Sequence, residues 1–154
     1  MGEVKTVLFV CTGNSCRSVM AEGLLRKCLE ELGKGGIKVM SAGIAAIDGY
    51  PPTDATIEVM EGEDIELSGF RSKKLTADLV KKADIILAMQ SLHKEEVIKL
   101  VPEAAAKTYL LKEYGGSGKA EDINVPDPIG RPLDDYRKCL ETIKKEIERI
   151  TKIL

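Results

Sequence analysis

Two cysteines, an arginine and two serines fall within eight residues, Cys11-Thr12-Gly13-Asn14-Ser15-Cys16-Arg17-Ser18. Set between a strand and a helix, such a turn aims its backbone N–H groups at one point and makes an anion nest. The first turn of the helix adds unpaired N–H groups and the positive end of its dipole. Gly13 is expected to allow a backbone conformation that other residues resist. Arg17 supplies a planar fork able to hold two oxyanion oxygens at once. Cys11, at the mouth of the nest, sits among partial positive charges that favour a thiolate. A thiolate facing a held phosphorus atom is an activated nucleophile. A cysteine six positions before an arginine is common by chance, and the same turn could be a plain strand–helix connection with Cys11 packed at the strand end. It is neither a Walker loop, since the Gly-Lys-Ser/Thr ending is missing, nor a dinucleotide Gly-x-Gly-x-x-Gly. What raises the chemical reading is where the string lies.

Residues 4–10 form a short, apolar, β-branched run, the pattern of a buried strand. After the turn, Ser18 reads as a helix N-cap, with Ala21 and Glu22 opening the helix. Met20, Leu24, Leu25, Cys28, Leu29 and Leu32 keep helical spacing until the glycines at 33–36. Further strands are expected at 37–41, 85–89 and 108–111. Helices are expected at 53–60 and 91–100, the second stopped near Pro102. Thr76 caps a shorter helical turn at 77–82. Residues 112–125 are polar, hold three glycines and read as a mobile loop. From Leu133 or Asp134 a final helix carries Tyr136, Leu140, Ile143, Ile147, Ile150 and Leu154 on one stripe.

Strands alternating with helices imply an α/β fold: one domain over residues 1–154, a three-layer sandwich with a central four-stranded parallel sheet and helices on both faces. Ligands of such sheets gather at the carboxyl ends of the strands, where Cys11 lies.

The chain has 154 residues, 23 Lys plus Arg and 25 Asp plus Glu, for a net charge of −2. That balance does not suggest nucleic-acid binding, and with no Trp and few aromatics a base-stacking platform is not expected. No apolar run reaches the ~18–20 residues of a membrane span. The expectation is a cytoplasmic protein, monomeric, with no membrane partner. The four cysteines show neither Cys-x-x-Cys nor a histidine cluster, so no metal is expected. Cys28 and Cys139 read as packed helix residues. His93, among Lys94, Glu95 and Glu96, reads as part of a solvated helix face.

The loop 11–18, followed by Met20-Ala21-Glu22, resembles that of the low-molecular-weight protein tyrosine phosphatases. Ser41-Ala42-Gly43 resembles the ending of that family's second strand, and Ala83-Asp84-Ile85-Ile86-Leu87-Ala88-Met89 its later strand. Asp127-Pro128 lies before the last helix, where the family carries its general acid; alone, Asp-Pro would read as a turn. The resemblance covers nearly the whole chain. It implies a metal- and cofactor-free protein phosphatase whose partner is a phosphorylated protein. Cys11 attacks phosphorus, while Arg17 and the amides of residues 12–18 bind the phosphoryl oxygens. Asp127 protonates the leaving group and then activates water. Ser18 hydrogen-bonds the Cys11 thiolate and Asn14 holds the loop. Cys16 is either a redox partner for Cys11 or a small residue packed beneath the loop.

Departures from the family pattern bear on substrate. Val19 stands where many members have a proline that presets the helix start. Ile129-Gly130 replaces the tyrosines that follow Asp-Pro in many eukaryotic members, and Tyr50 is either a pocket wall or a turn residue. Ser15 lies where tyrosine-directed members carry a bulky aliphatic side chain and a bacterial arginine-phosphatase branch carries threonine. Residues 110–114 and 127–130 also look more like that branch. Phosphotyrosine and phosphoarginine are both open at this point. The rival of a different class, a thiol-coupled arsenate reductase, resembles the same loop but needs a further redox cysteine pair, and 85–96 contain no cysteine.

Overall fold

The computed structural model describes residues 4–116 and 123–154. Strand β1 (Thr6–Cys11) is central, and β2 (Lys38–Gly43), β3 (Ile85–Ala88) and β4 (Thr108–Leu110) complete a sheet of order β2-β1-β3-β4. Every pairing is parallel, with Cys11 opposite Gly43 and Val10 opposite Ala88. The expected four-stranded α/β architecture is the one observed.

Because strand side chains alternate faces, β1 feeds two cores. Val7, Phe9 and Cys11 join one, against α1 (Arg17–Glu31) and α5 (Leu133–Thr151). Leu8 and Val10 join the other, which includes Val80 of α3 (Ala77–Lys82) and Val97 of α4 (Ser91–Leu100). On α5 Tyr136, Leu140, Ile143, Ile147 and Ile150 are all buried as their spacing predicts, while Leu154, expected on the same stripe, lies past the helix end and is half-buried. Helix α2 (Asp54–Glu61) is capped by Thr53 and α3 by Thr76, whose hydroxyls accept from Thr56 N and Leu79 N.

The polar stretch after β4 does not read as loose where it is described. The Arg149 guanidinium donates to the carbonyls of Leu111 and Tyr114, and Val125 is buried with its N–H on Met89 O at 2.8 Å. The remainder of that expectation, at 117–122, lies outside the described residues.

Candidate active site

β1 ends at Cys11 and α1 begins at Arg17, so the string 11–18 spans a strand end, a turn and a helix start. Two local expectations are corrected. Cys16, not Ser18, takes the N-cap position, with no side-chain cap. Ser18 is the second residue of the helix, because its hydroxyl is taken by Cys11 Sγ at 2.9 Å and Asn14 Nδ2 at 2.8 Å. The residue that turns the loop is Asn14, with φ of +52°, whereas Gly13 is not left-handed. Asn tolerates this region better than other side-chain-bearing residues. Here it is held from three sides: Nδ2 donates to Ser18 Oγ and, at 3.0 Å, to Ser41 Oγ, and Oδ1 accepts from Lys73 N at 2.9 Å. Ser41 in turn donates to the buried Glu22 carboxylate at 2.7 Å.

The loop also lies close on the end of β2. A Cβ built on Gly43 would fall 2.6 Å from Thr12 O and 2.8 Å from Asn14 N. Only glycine permits that approach, and Ile44 N and Ala45 N then bond Cys11 O and Thr12 O at 2.9 Å each. On the other side Thr53 N donates to Ser15 O at 3.2 Å. The amides of Gly13, Ser15, Cys16 and Arg17 find no acceptor among the described residues. They are the unsatisfied donors expected of a nest at a helix start.

Cys11 is 2% exposed. Its sulfur faces Ser18 Oγ and, at 3.3 Å, the amide of Asn14. Since Asn14 Nδ2 donates to Ser18 Oγ, the serine proton is free to donate to the sulfur. Arg17 is equally buried. Its Nη1 donates to Gln90 Oε1 at 2.5 Å and Val125 O at 2.9 Å, and its Nη2 to Thr12 Oγ1 at 3.3 Å. Asp127 Oδ2 stands 3.4 Å from the same Nη2. Its carboxylate is part-exposed and caps its own turn, with Oδ1 accepting from Ile129 N at 3.1 Å.

Cys11, Thr12, Gly13, Ser15, Cys16, Arg17, Asp127 and Ile129 line one cavity of about 130 Å3. All but Asn14 and Ser18 of the residues expected in the site reach it; those two stand behind the sulfur. Cys16 is buried beside Thr53 Oγ1 at 3.7 Å and Tyr136 OH at 3.8 Å, and its thiol is free like the other three. Cys139 is buried in α5, where loss of solvation pushes its thiol up to about 12. Tyr50 is exposed and outside the cavity lining. Among the described residues no cluster of His, Cys, Asp or Glu is arranged to hold a metal.

His93 is the clearest correction. It is fully buried, not on a solvated face. Nδ1 accepts from Gln90 N at 3.1 Å and Nε2 meets Thr12 Oγ1 at 2.9 Å. Burial and the Arg17 charge together hold its pKa down at about 4. The sequence carried one signal: His93 precedes the buried Val97 by four, so both lie on one helix face. Gln90 and Gly43 were missed because the contacts that give them a role come from residues 12–17, distant in sequence.

A family model described as low molecular weight phosphotyrosine protein phosphatase matches residues 6–154. The chain is 37% identical to a probable low molecular weight protein-tyrosine-phosphatase, EpsP, of Ralstonia nicotianae, over 94% of this chain and 92% of that one. It is 35% identical to a protein-arginine-phosphatase of Geobacillus stearothermophilus, over 96% and 95%. Among solved structures, a YwlE arginine phosphatase mutant with a phosphorylated active-site serine superposes with a TM-score of 0.89 at 33% identity, covering 97% of this chain and 95% of that one.

Proposed function

Because this chain belongs to the low molecular weight phosphotyrosine protein phosphatase family, we propose that it hydrolyses phosphorylated protein side chains through a phosphocysteine at Cys11. The observation that carries the assignment of roles is that Cys11, Arg17 and Asp127 line one cavity. In the first step Cys11 Sγ forms a bond to phosphorus as the bond to the side-chain oxygen or nitrogen breaks. The departing atom takes the Asp127 proton. In the second step water loses a proton to Asp127 and forms the new P–O bond as the S–P bond breaks, releasing inorganic phosphate and the free thiolate. Arg17 and the unpaired amides of Gly13, Ser15, Cys16 and Arg17 hold the non-bridging oxygens throughout. The phosphorylated active-site serine in the YwlE mutant supports a route in which the enzyme itself is phosphorylated.

The thiol-coupled arsenate reductase reading is not favoured. It needs two more accessible thiols, and Cys139 is buried with its thiol raised to about 12. Cys28 is part-buried in α1 against the core, and its thiol is also raised by burial.

Both relatives and chemistry leave two substrates in view, phosphotyrosine and phosphoarginine. Ser15 on the cavity wall supports a site with room for a polar guanidinium. We read Cys16 as the partner that pairs with Cys11 on oxidation and protects it from over-oxidation. No described helix is long and apolar enough to cross a membrane. Four free thiols suit a reducing compartment and support a cytoplasmic location. Cys11, Arg17 and Asp127 meet within one chain, so a monomer carries the whole proposed catalytic set.

Acid quench during turnover of p-nitrophenyl phosphate, followed by peptide mass spectrometry, should find the phosphoryl group on Cys11. Cys11→Ser should lower kcat by at least ~10⁴-fold while inorganic phosphate still binds. Near-wild-type turnover in Cys11→Ser would sink the covalent route.

A further inference from the structure

His93 was the buried group that the phosphatase chemistry left unused, and its hydrogen bonds fix more than its own position. The amide of Gln90 points its hydrogen at Nδ1, so Nδ1 must be the unprotonated nitrogen. A proton there would face another donor. The proton of the ring is therefore on Nε2, and Nε2 donates to Thr12 Oγ1 at 2.9 Å. Arg17 Nη2 donates to the same oxygen at 3.3 Å. A hydroxyl oxygen has two lone pairs and one hydrogen. With both lone pairs engaged, Thr12 is left with its O–H as a donor. No acceptor for that hydrogen exists among the described residues, and Thr12 lies on the cavity wall beside Cys11 and Arg17.

We propose that the Thr12 hydroxyl is a further catalytic donor, giving its hydrogen bond to a non-bridging phosphoryl oxygen, and that His93 is the positioning residue that forces it to donate. The proposal rests on the phosphatase reading of the same cavity. As Cys11 Sγ bonds to phosphorus and the leaving group departs with the Asp127 proton, the non-bridging oxygens carry the charge. Thr12 transfers no proton; it strengthens its hydrogen bond to one of those oxygens. Two elements distant in sequence thereby meet at one atom, the end of β1 and the first turn of α4. Gln90, from that same turn, holds Arg17 through Oε1. The start of α4 thus aims two phosphate donors, one through each side chain.

The design also explains why a histidine suits position 93. The ring must accept from a backbone amide on one side and donate to a hydroxyl on the other, across a dry gap. A neutral imidazole does both with rigid geometry. Leucine does neither. Glutamine can place its side-chain NH2 near the Nε2 position and keep the donation to Thr12.

The test measures kcat and KM for p-nitrophenyl phosphate, together with the inhibition constant of inorganic phosphate. Thr12→Val keeps the shape and deletes the hydroxyl; it should lower kcat by ~10–100-fold. Thr12→Ser should stay within a few-fold of wild type. His93→Leu should fall as far as Thr12→Val, and the double variant should fall no further, because both remove one donation. His93→Gln should recover most of the loss. Thermal unfolding checks that each variant is folded, and if His93→Leu is not, the Thr12 pair with His93→Gln decides. Wild-type kcat in Thr12→Val would overturn the catalytic role of the hydroxyl. Losses that multiply in the double variant would overturn the coupling to His93. A wild-type protein without any turnover would instead remove the phosphatase reading beneath both.

Discussion

The two halves of the site are built differently. The nest at 11–18 is fixed from every side: by β2 through Gly43, by Ser41 and Lys73 through Asn14, by Thr53 through Ser15, and by α4 through Thr12 and Arg17. Cys11, Asn14, Arg17 and Ser18 are at most 2% exposed. The turn at 126–131 carries Asp127 with few such ties. Among the described residues its hydrogen bonds are local, Ile129 N to Asp127 Oδ1 and Arg131 N to Pro128 O, and its one tie to the nest is the Asp127–Arg17 pair. The proposed mechanism accounts for the contrast. Phosphate must be held by donors that do not reorganise, whereas a proton donor must also meet a leaving group that differs in shape between substrates. Rigidity is spent on the charge and freedom is left to the acid.

The sharpest way to break this contrast is to remove the acid and leave the nest intact. Asp127→Asn keeps the turn, since its amide oxygen can still accept from Ile129 N. It should slow hydrolysis of substrates with poor leaving groups by roughly 10²–10⁴-fold. With p-nitrophenyl phosphate, whose leaving group needs little protonation, formation of the phosphoenzyme should be far less affected. The inhibition constant of inorganic phosphate should change little. Equal losses on good and poor leaving groups, seen in pre-steady-state bursts, would show that Asp127 serves the nest and not the leaving group.

The converse variant damages the nest. Asn14→Ala removes the donor to Ser18 and Ser41, strands the Lys73 amide, and puts a residue ill suited to φ of +52° at the turn. Unsatisfied buried partners cost about 1–3 kcal/mol and the backbone adds about 1 kcal/mol. The expected result is a drop of roughly 2–4 kcal/mol in unfolding free energy with weaker phosphate binding. Asn14→Gly should relieve the backbone part alone. If phosphate binding survives Asn14→Ala unchanged, the nest does not depend on this residue.

How much of this the sequence showed follows from the range of the contacts. The alternation of strands and helices, the stripe on α5 and the caps Thr53 and Thr76 were legible because each depends on residues close in sequence. Cys11, Arg17 and the amides were legible for the same reason, as a strand end, a turn and a helix start. Asn14 was expected to hold the loop, but its left-handed backbone was assigned to Gly13, since glycine is the usual occupant. His93 and Gln90 were not legible. Leu92, the apolar neighbour, is exposed, while His93 is buried against a loop 81 residues away. Local polarity points the wrong way there, and only the pairing of β1 with β3 brings the start of α4 to Thr12.

That buried histidine gives the nest a pH signature. Its pKa is held at about 4, with burial the larger cause and the Arg17 charge the next, against about 6.5 in the unfolded chain. Between those values the unfolded state binds more protons, so stability is complete above about pH 6.5 and falls as pH drops toward 4. The full effect is up to roughly 3 kcal/mol. Urea unfolding of wild type and His93→Gln at pH 7 and pH 4.5 isolates it, since carboxylates contribute to both proteins alike. The variant should lose less stability on acidification. Parallel losses in the two proteins would mean that folding does not shift the titration of His93.

The smallest expected effect lies where the two halves meet. Ser15 and Ile129 line the cavity from the nest and from the acid turn, so the part of the substrate beyond phosphorus must pass between them. Among the described residues Ser15 Oγ has only a long contact to Cys16 Sγ, at 3.7 Å, which leaves it available to a ligand. Phosphoarginine would bring a planar guanidinium with N–H donors to this wall, and phosphotyrosine an apolar ring. A hydroxyl accepts from the first and offers little to the second. In Ser15→Ile those donors would go unpaired, at about 1–3 kcal/mol, while a ring would gain an apolar partner. The ratio of kcat/KM for phosphoarginine over phosphotyrosine peptides should therefore fall by about 10-fold or more. The alternative is that Ser15 only supports the loop. A Cβ on Gly13 would lie 3.3 Å from Ser15 Oγ, so the side chain does pack against its own turn. In that case the bulkier isoleucine would strain the nest, both peptides would lose activity together, and the ratio would hold. An unchanged ratio would move the choice of substrate away from the rigid half of the site and onto the acid turn, where Ile129 would be the next residue to change.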